Sequence, residues 1–290
     1  DQPALACGCT SDGVALFDTV DAAVKAAHAA FKRFQEAPLK TRSSIVAAIR
    51  AGLADCLPEL SEAAALETGM GNAADKILKN RAALENTPGI EDLVTTALTG
   101  DEGMVLFEYS PYGVIGSVAP STNPTETIIN NSISMLAAGN AIYFSPHPGA
   151  KLVSLQLIAQ IEAIVFKACG IHNLVVTVKA PTFEATQEMM AHPKVAVLAI
   201  TGGPGIWRGP SPGSIKRSDS VGVSAMVRRI ACIMARPFSP PSSSRYRPVF
   251  RIGLPGSLTC MCQYPSCASV RGIERSSRSG RVVMVALSSS

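Results

Sequence analysis

Residues 113–147 read GVIGSVAPSTNPTETIINNSISMLAAGNAIYFSPH. An apolar run, Gly113–Ala119, leads into Pro120-Ser121-Thr122-Asn123-Pro124. A helical pattern follows over Thr125–Ala138 and closes at Gly139. A second apolar run, Ala141–Ser145, ends in Ser145-Pro146-His147. Strands that are apolar throughout have no solvent side, so they belong in a sheet covered above and below. Strand, helix and strand in this order are the unit from which parallel sheets are built.

The alternation continues outward. Gly149–Cys169 reads as a long helix ended by Gly170, Leu174–Val178 as a strand, and Thr182–Ala191 as a helix capped by Thr182. Val195–Ile200 is a strand running into Thr201-Gly202-Gly203-Pro204-Gly205. Upstream, helices are predicted over 18–37, Thr41–Cys56, Pro58–Thr68 (with Gly69 beyond its end) and Ala73–Leu84, then a β-like run over Met104–Tyr109. The expectation is an α/β domain, a parallel sheet with helices on both faces. Ligands in such sheets bind beyond the C-terminal strand ends. Those ends carry Ser121, Thr122 and Asn123, then Ser145, Pro146 and His147, then Thr201, Gly202 and Gly203. The dinucleotide fingerprint G-x-G-x-x-G is missing after the first strand. Gly203-Pro204-Gly205 begins one, but Arg208 stands in the third glycine's place, a weak signal for a phosphate loop.

A chain of 290 residues, 47% hydrophobic and 17% charged, suits one large globular domain or two ordinary ones. No apolar run is expected to reach the length of a membrane span, and no basic segment followed by an apolar one opens the chain. The expectation is a soluble, cytoplasmic protein; whatever precedes Asp1 is out of view. Of the eight cysteines, Cys7, Cys9, Cys56 and Cys169 are read as reduced thiols, Cys169 as a core residue. His28, His172 and His192 are read as helix-surface or turn residues, and Glu67 and Asp101 as solvated structural acids.

The charge is not uniform. Residues 207–290 hold thirteen of the 26 basic residues and two acids, Asp219 and Glu274. Ser, Arg and Pro dominate there and the amphipathic pattern disappears, so a packed core is not expected. The chain thus divides into a domain over 1–206 and a basic tail over 207–290, irregular or disordered.

Four segments carry a resemblance: PLKTRSSIVAAIRAGL, ETGMGNAADKILKNRAALENTPGIEDL, FEYSPYGVIGSVAPSTNPTETIINNSISMLAAGNAIYFSPHPGAK and TFEATQEMMAHPKVAVLAITGGPGI. Over about residues 12–206 the chain resembles the CoA-acylating aldehyde dehydrogenases of bacterial microcompartments. The propionaldehyde-oxidising members of propanediol utilisation are nearest, and the acetaldehyde-oxidising members of ethanolamine utilisation are the close alternative. The resemblance implies an aldehyde-dehydrogenase-like, Rossmann-type NAD-binding domain, with NAD and coenzyme A as cosubstrates and a small aldehyde as substrate. It also implies a homo-oligomer in the microcompartment lumen; from the residues themselves no nucleic-acid, membrane or metal partner is expected. Asn123 matches the family's catalytic amide, a neutral oriented donor suited to a developing oxyanion. Ser121, Thr122, Ser145, Pro146, His147, Thr201, Gly202 and Gly203 match the cofactor-binding turns, with His147 as a wall beside the ribose.

The resemblance stops after Ile206. The family's glycine-rich GAGNPP loop and the segment holding its nucleophilic cysteine have no counterpart in residues 207–290. Three readings of the tail stand side by side: translation out of frame beyond about codon 206, a basic nucleic-acid-binding arm, or a zinc site on Cys232, Cys260, Cys262 and Cys267. The spacing TCMCQYPSC lacks the paired C-x-x-C of zinc knuckles. An inactive, NAD-binding half of the dehydrogenase is the expectation; the alternative is a non-catalytic nucleotide-binding or subunit-assembly module.

Overall fold

The computed structural model describes residues 15–101 and 103–201, with the backbone of 231–237, 274–275 and 282–286. Its elements are β1 (Leu16–Phe17), α1 (Val20–Phe34), α2 (Leu39–Ala54), α3 (Leu57–Thr68), α4 (Ala73–Asn86), β2 (Thr96–Gly100), β3 (Gly103–Pro111), β4 (Val114–Ala119), α5 (Pro124–Ala137), β5 (Ala141–Pro146), α6 (Lys151–Cys169), β6 (Val175–Val178), α7 (Phe183–Ala191), β7 (Val195–Thr201), β8 (Ala231–Pro237), β9 (Glu274–Arg275) and β10 (Val282–Ala286). Capping fixes several helix starts. The Thr19, Asn72 and Thr182 side chains accept from the backbone N–H groups of Ala22, Asp75 and Ala185. Gly69 and Gly170 end α3 and α6 in the left-handed conformation.

The main sheet has the order β1-β6-β5-β4-β7-β10-β9, parallel from β1 to β10, with β9 antiparallel. β4 and β5 are buried at every residue, as their unbroken apolar sequences require. Helices α5 and α6 carry the chain from β4 out to β5 and β6, on the face where α2, α3 and α4 also pack. Helix α7 then returns on the other face, beside α1, and places β7 on the far side of β4. The chain thus leaves β4 toward one side of the sheet and enters β7 from the other face, so the strand order reverses beside β4, where open sheets of this kind bind ligands at their C-terminal ends.

Helix α5 is buried along almost its whole length although it carries several polar residues. Those groups are largely matched inside. The Asn131 amide donates to Ser117 Oγ at 2.9 Å, and the Ser134 hydroxyl to the Asn130 carbonyl at 2.8 Å. Asn140 clips the start of β4, its side-chain oxygen accepting from Tyr112 N (2.7 Å) and Gly113 N (3.2 Å). Gly116 lets α7 close on the sheet, since a Cβ there would lie 2.2 Å from Met189 Sδ.

Several expectations change. The segment Pro148–Cys169 is, by length and a mean hydropathy of 1.6, apolar enough to cross a membrane, contrary to the reading that no run reaches that length. Half of it is buried within the domain, against α2, α5 and the sheet, and that packing demands the apolar composition. Cys56, read as a thiol, is disulfide-bonded; composition says nothing about which sulfurs the fold brings together. Cys169 is a free thiol whose pKa is raised by burial. His192, read as a helix-surface or turn residue, does open the turn after α7 but is buried there, its Nε2 lying 3.3 Å from Asp21 on α1. The tail, expected to be irregular, contributes β8 antiparallel to β3 and β10 parallel to β7, with the rest of 207–290 outside the described residues. The edge strands β1 and β2 carry no apolar alternation and escape periodicity; β2 is exposed at every position.

Candidate functional site at the strand ends

Three strands deliver the site. In the β4–β5 ladder Val118 pairs with Ser145 and Ala119 with Pro146; on the other side Val118 pairs with Ile200 of β7. Ala119, Pro146 and Thr201 therefore stand at one level of the sheet. The loop Pro120–Asn123, the turn at His147 and the exit from β7 leave from one rim. Ser121, Thr122, Asn123, Ser145, Pro146, His147 and Thr201 are thus brought together. Gly202 and Gly203 lie outside the described residues.

Asn123 is the N-cap of α5, half-buried, with φ −135° and ψ 60°, and its side chain makes no capping hydrogen bond. Its carboxamide is not spent on the helix. Its carbonyl is held instead, accepting from Thr127 Oγ1 at 2.7 Å and Thr127 N at 3.2 Å. Pro124 in the first turn has no N–H to satisfy, so the helix starts without a side-chain cap at little cost. The preceding carbonyl, that of Thr122, accepts from Lys76 Nζ at 3.4 Å, and Lys76 is only 4% exposed.

The β5 turn is built differently. The Ser145 hydroxyl is buried and shares a 2.7 Å hydrogen bond with Thr186 Oγ1 of α7, so it ties the turn to the opposite face. His147 comes next, half-buried. Its Nδ1 accepts from Gly149 N at 3.0 Å, leaving Nε2 as the protonated nitrogen of the neutral ring. Phe183 stands edge-on to the imidazole at 5.8 Å and is 59% exposed. A partly exposed aromatic pair at the end of β5 suits the flat, partly apolar surface of a nucleoside.

Glu67 is more than a solvated acid. Its two carboxylate oxygens accept from Leu152 N and Val153 N, each at 2.7 Å, at the start of α6. It satisfies two orphan donors and sets its charge against the positive end of the helix. Nothing in the local sequence signals this contact, because the partners are 85 and 86 residues apart. Lys76, equally unremarkable in the sequence, reaches the site across 46 residues. Among the described residues no group of three or more His, Cys, Asp or Glu side chains is arranged to hold a metal ion. The side chains of Cys232, Cys260, Cys262 and Cys267 lie outside the described residues.

Over this domain the chain is similar to several known proteins. The propanal dehydrogenase (CoA-propanoylating) of Salmonella typhimurium is 73% identical over 194 residues, 67% of this chain and 42% of that protein. The chain thus spans about two fifths of the length of this curated relative. An engineered glycolyl-CoA reductase solved with bound NADP+ superposes with a TM-score of 0.65 at 51% identity, covering 67% of this chain and 44% of that one. A propionaldehyde dehydrogenase from the fucose utilisation bacterial microcompartment of Clostridium phytofermentans gives a TM-score of 0.65 at 41% identity, covering 67% and 45%. Residues 15–208 match the aldehyde dehydrogenase family, two thirds of the chain, and the chain belongs to that family.

Proposed function

We propose that residues 1–206 form the dinucleotide-binding domain of a CoA-acylating propionaldehyde dehydrogenase, which converts aldehyde, CoA and NAD+ to acyl-CoA, NADH and a proton. The 73% identity to a CoA-propanoylating enzyme carries the choice of substrate. The reversal of strand order between β4 and β7 supports the choice of cofactor. Ser121, Thr122, Ser145, Pro146, His147, Thr201, Gly202 and Gly203 would hold the dinucleotide, with His147 and Phe183 against its nucleoside end. NAD+ supplies the hydride acceptor when bound.

Asn123 is assigned the catalytic amide. Its carboxamide makes no capping bond to the helix, and a neutral carboxamide does not give up its proton to the alkoxide it stabilises. Acyl transfer to CoA further requires a thiolate nucleophile within reach of that amide. Residues 209–290 show no match to the family, so this chain alone is assigned the binding half and not the covalent step. The basic tail is assigned no nucleic-acid role, and the microcompartment lumen and a homo-oligomeric assembly are assigned by kinship with the relatives.

Two measurements test the assignment. Titration of NAD+ against the chain, followed by ligand fluorescence or calorimetry, is expected to show saturable binding; no binding at millimolar NAD+ refutes the domain assignment. Propionaldehyde plus CoA, followed through NADH absorbance, is expected to give no turnover; CoA-dependent NADH production by this chain refutes the assignment of a binding half alone.

A further inference from the structure

We infer that Lys76 is a positioning residue for the Asn123 carboxamide, acting through the peptide bond between Thr122 and Asn123. The inference rests on the catalytic role proposed for Asn123. Lys76 lies in the first turn of α4, buried to 4% exposure. Taking an ammonium out of water costs several kcal/mol unless it finds partners. Among the described residues no carboxylate lies within ion-pair distance of it; its hydrogen bond goes to the Thr122 carbonyl at 3.4 Å. A methionine would fill the same volume without that cost, so the charge has a polar task, and the carbonyl identifies it.

The anchor itself is firm. Asn72 caps α4, accepting from Asp75 N at 2.8 Å and donating to Asp75 Oδ2 at 2.7 Å, while Lys76 N donates to the Asn72 carbonyl at 3.1 Å. Gly71, in the left-handed conformation, passes close along the lysine stem, its Cβ position 3.9 Å from Lys76 Cε. At the other end, the Thr122 carbonyl and the Asn123 nitrogen belong to one planar peptide, so holding the first fixes the second. Thr127 holds the next carbonyl, that of Asn123 itself, at 2.7 Å. The two peptides flanking the Asn123 Cα are therefore clamped from α4 and from α5. With no capping bond on its own side chain, Asn123 takes its orientation from these clamps. Preorganisation of this kind is what allows a donor to stabilise a transient oxyanion.

The test is made on the full chain, labelled with 15N on asparagine, with the Asn123 signal assigned by N123Q. In the unsubstituted chain the Asn123 backbone order parameter is expected near the rigid value of about 0.85, falling below about 0.6 in K76M, while Asn72 and Asn80 on α4 stay rigid. K76R, which keeps a cation, is expected to restore it. An unchanged Asn123 in K76M, or a loss of order shared by Asn72 and Asn80, overturns the inference, because a lysine that merely braced α4 would behave in one of those two ways. If K76M does not fold, K76Q is read by the same criteria. NAD+ titration tests the functional reading separately. Loss of order at Asn123 in a chain that binds no NAD+ would uphold the positioning role and refute the dehydrogenase reading.

Discussion

The His147 backbone N–H donates to the Ala119 carbonyl at 3.0 Å. This one bond, at the end of the β4–β5 ladder, sets the turn that carries His147 at the same height as the loop that carries Asn123. Asn123 and His147, proposed as the catalytic amide and the nucleoside wall, are thereby placed along one rim by the parallel register. Pro146, opposite Ala119, offers no N–H to that ladder, so the first residue able to donate after the strand is His147 itself.

Replacing His147 by alanine removes the ring face beside Phe183 and the acceptor that binds Gly149 N. Dinucleotide affinity is expected to fall about tenfold, about 1.4 kcal/mol, with little change in melting temperature because His147 is half exposed. Calorimetric titration of NAD+ into both proteins checks this, and equal affinities would remove His147 from the site.

Glu162 gives the fold a pH dependence. It is 1% exposed, and burial raises its pKa from 4.5 to about 7 despite hydrogen bonds accepted from Asn173 N and Val175 N. The folded chain therefore holds a proton that the unfolded chain has released between about pH 4.5 and 7. Its contribution to stability is complete below 4.5 and is lost as pH rises through 7, on the order of 3 kcal/mol. Urea titrations of the parent and E162Q at pH 5 and 7.5 should show this contribution in the parent and not in E162Q.

Gly139 has φ +84°, and a Cβ there would lie 2.6 Å from Arg42 Cζ. Arg42 is itself buried, with its guanidinium at 5.9 Å over the Phe34 ring, so it cannot swing into solvent without leaving that ring. G139A is expected to destabilise the chain by about 2–3 kcal/mol, combining backbone strain with displacement of a packed cation. Chemical denaturation measures it; R42A combined with G139A should cost less than the sum of the two single changes.

Glu67→Ala opens the start of α6. Two charge-assisted bonds at 2.7 Å are lost and two N–H donors are left for water. A loss of about 1–3 kcal/mol is expected from thermal or urea unfolding, with amide exchange accelerated at Leu152 and Val153. Unchanged exchange at those two amides would show that Glu67 does not hold the helix.

Much of the architecture is legible in the residues. The apolar runs at 113–119, 141–145, 174–178 and 195–200 give strands within one or two residues of their observed bounds. Thr182 and Gly170 mark helix ends because capping is a local reaction between a side chain or a left-handed backbone and its nearest neighbours. The missed elements are those with no local signal. β1 is two residues long, and β2 is an edge strand with no buried side to impose alternation.

The linear order of residues determined the parallel sheet, the helices on its faces and the rim on which Asn123, His147 and Thr201 would meet. Periodicity records burial, and burial by a covered sheet follows from chain-local pattern. Tertiary structure alone decided that Lys76 reaches the Thr122 carbonyl, that Glu67 closes α6, that His192 is buried against Asp21, and that the Ser145 hydroxyl is bound to Thr186. Each of these is a polar contact between residues 41 to 171 positions apart. A single hydrogen bond of that kind leaves no repeat in the sequence, so its partner is fixed only when the packed elements bring the two groups together.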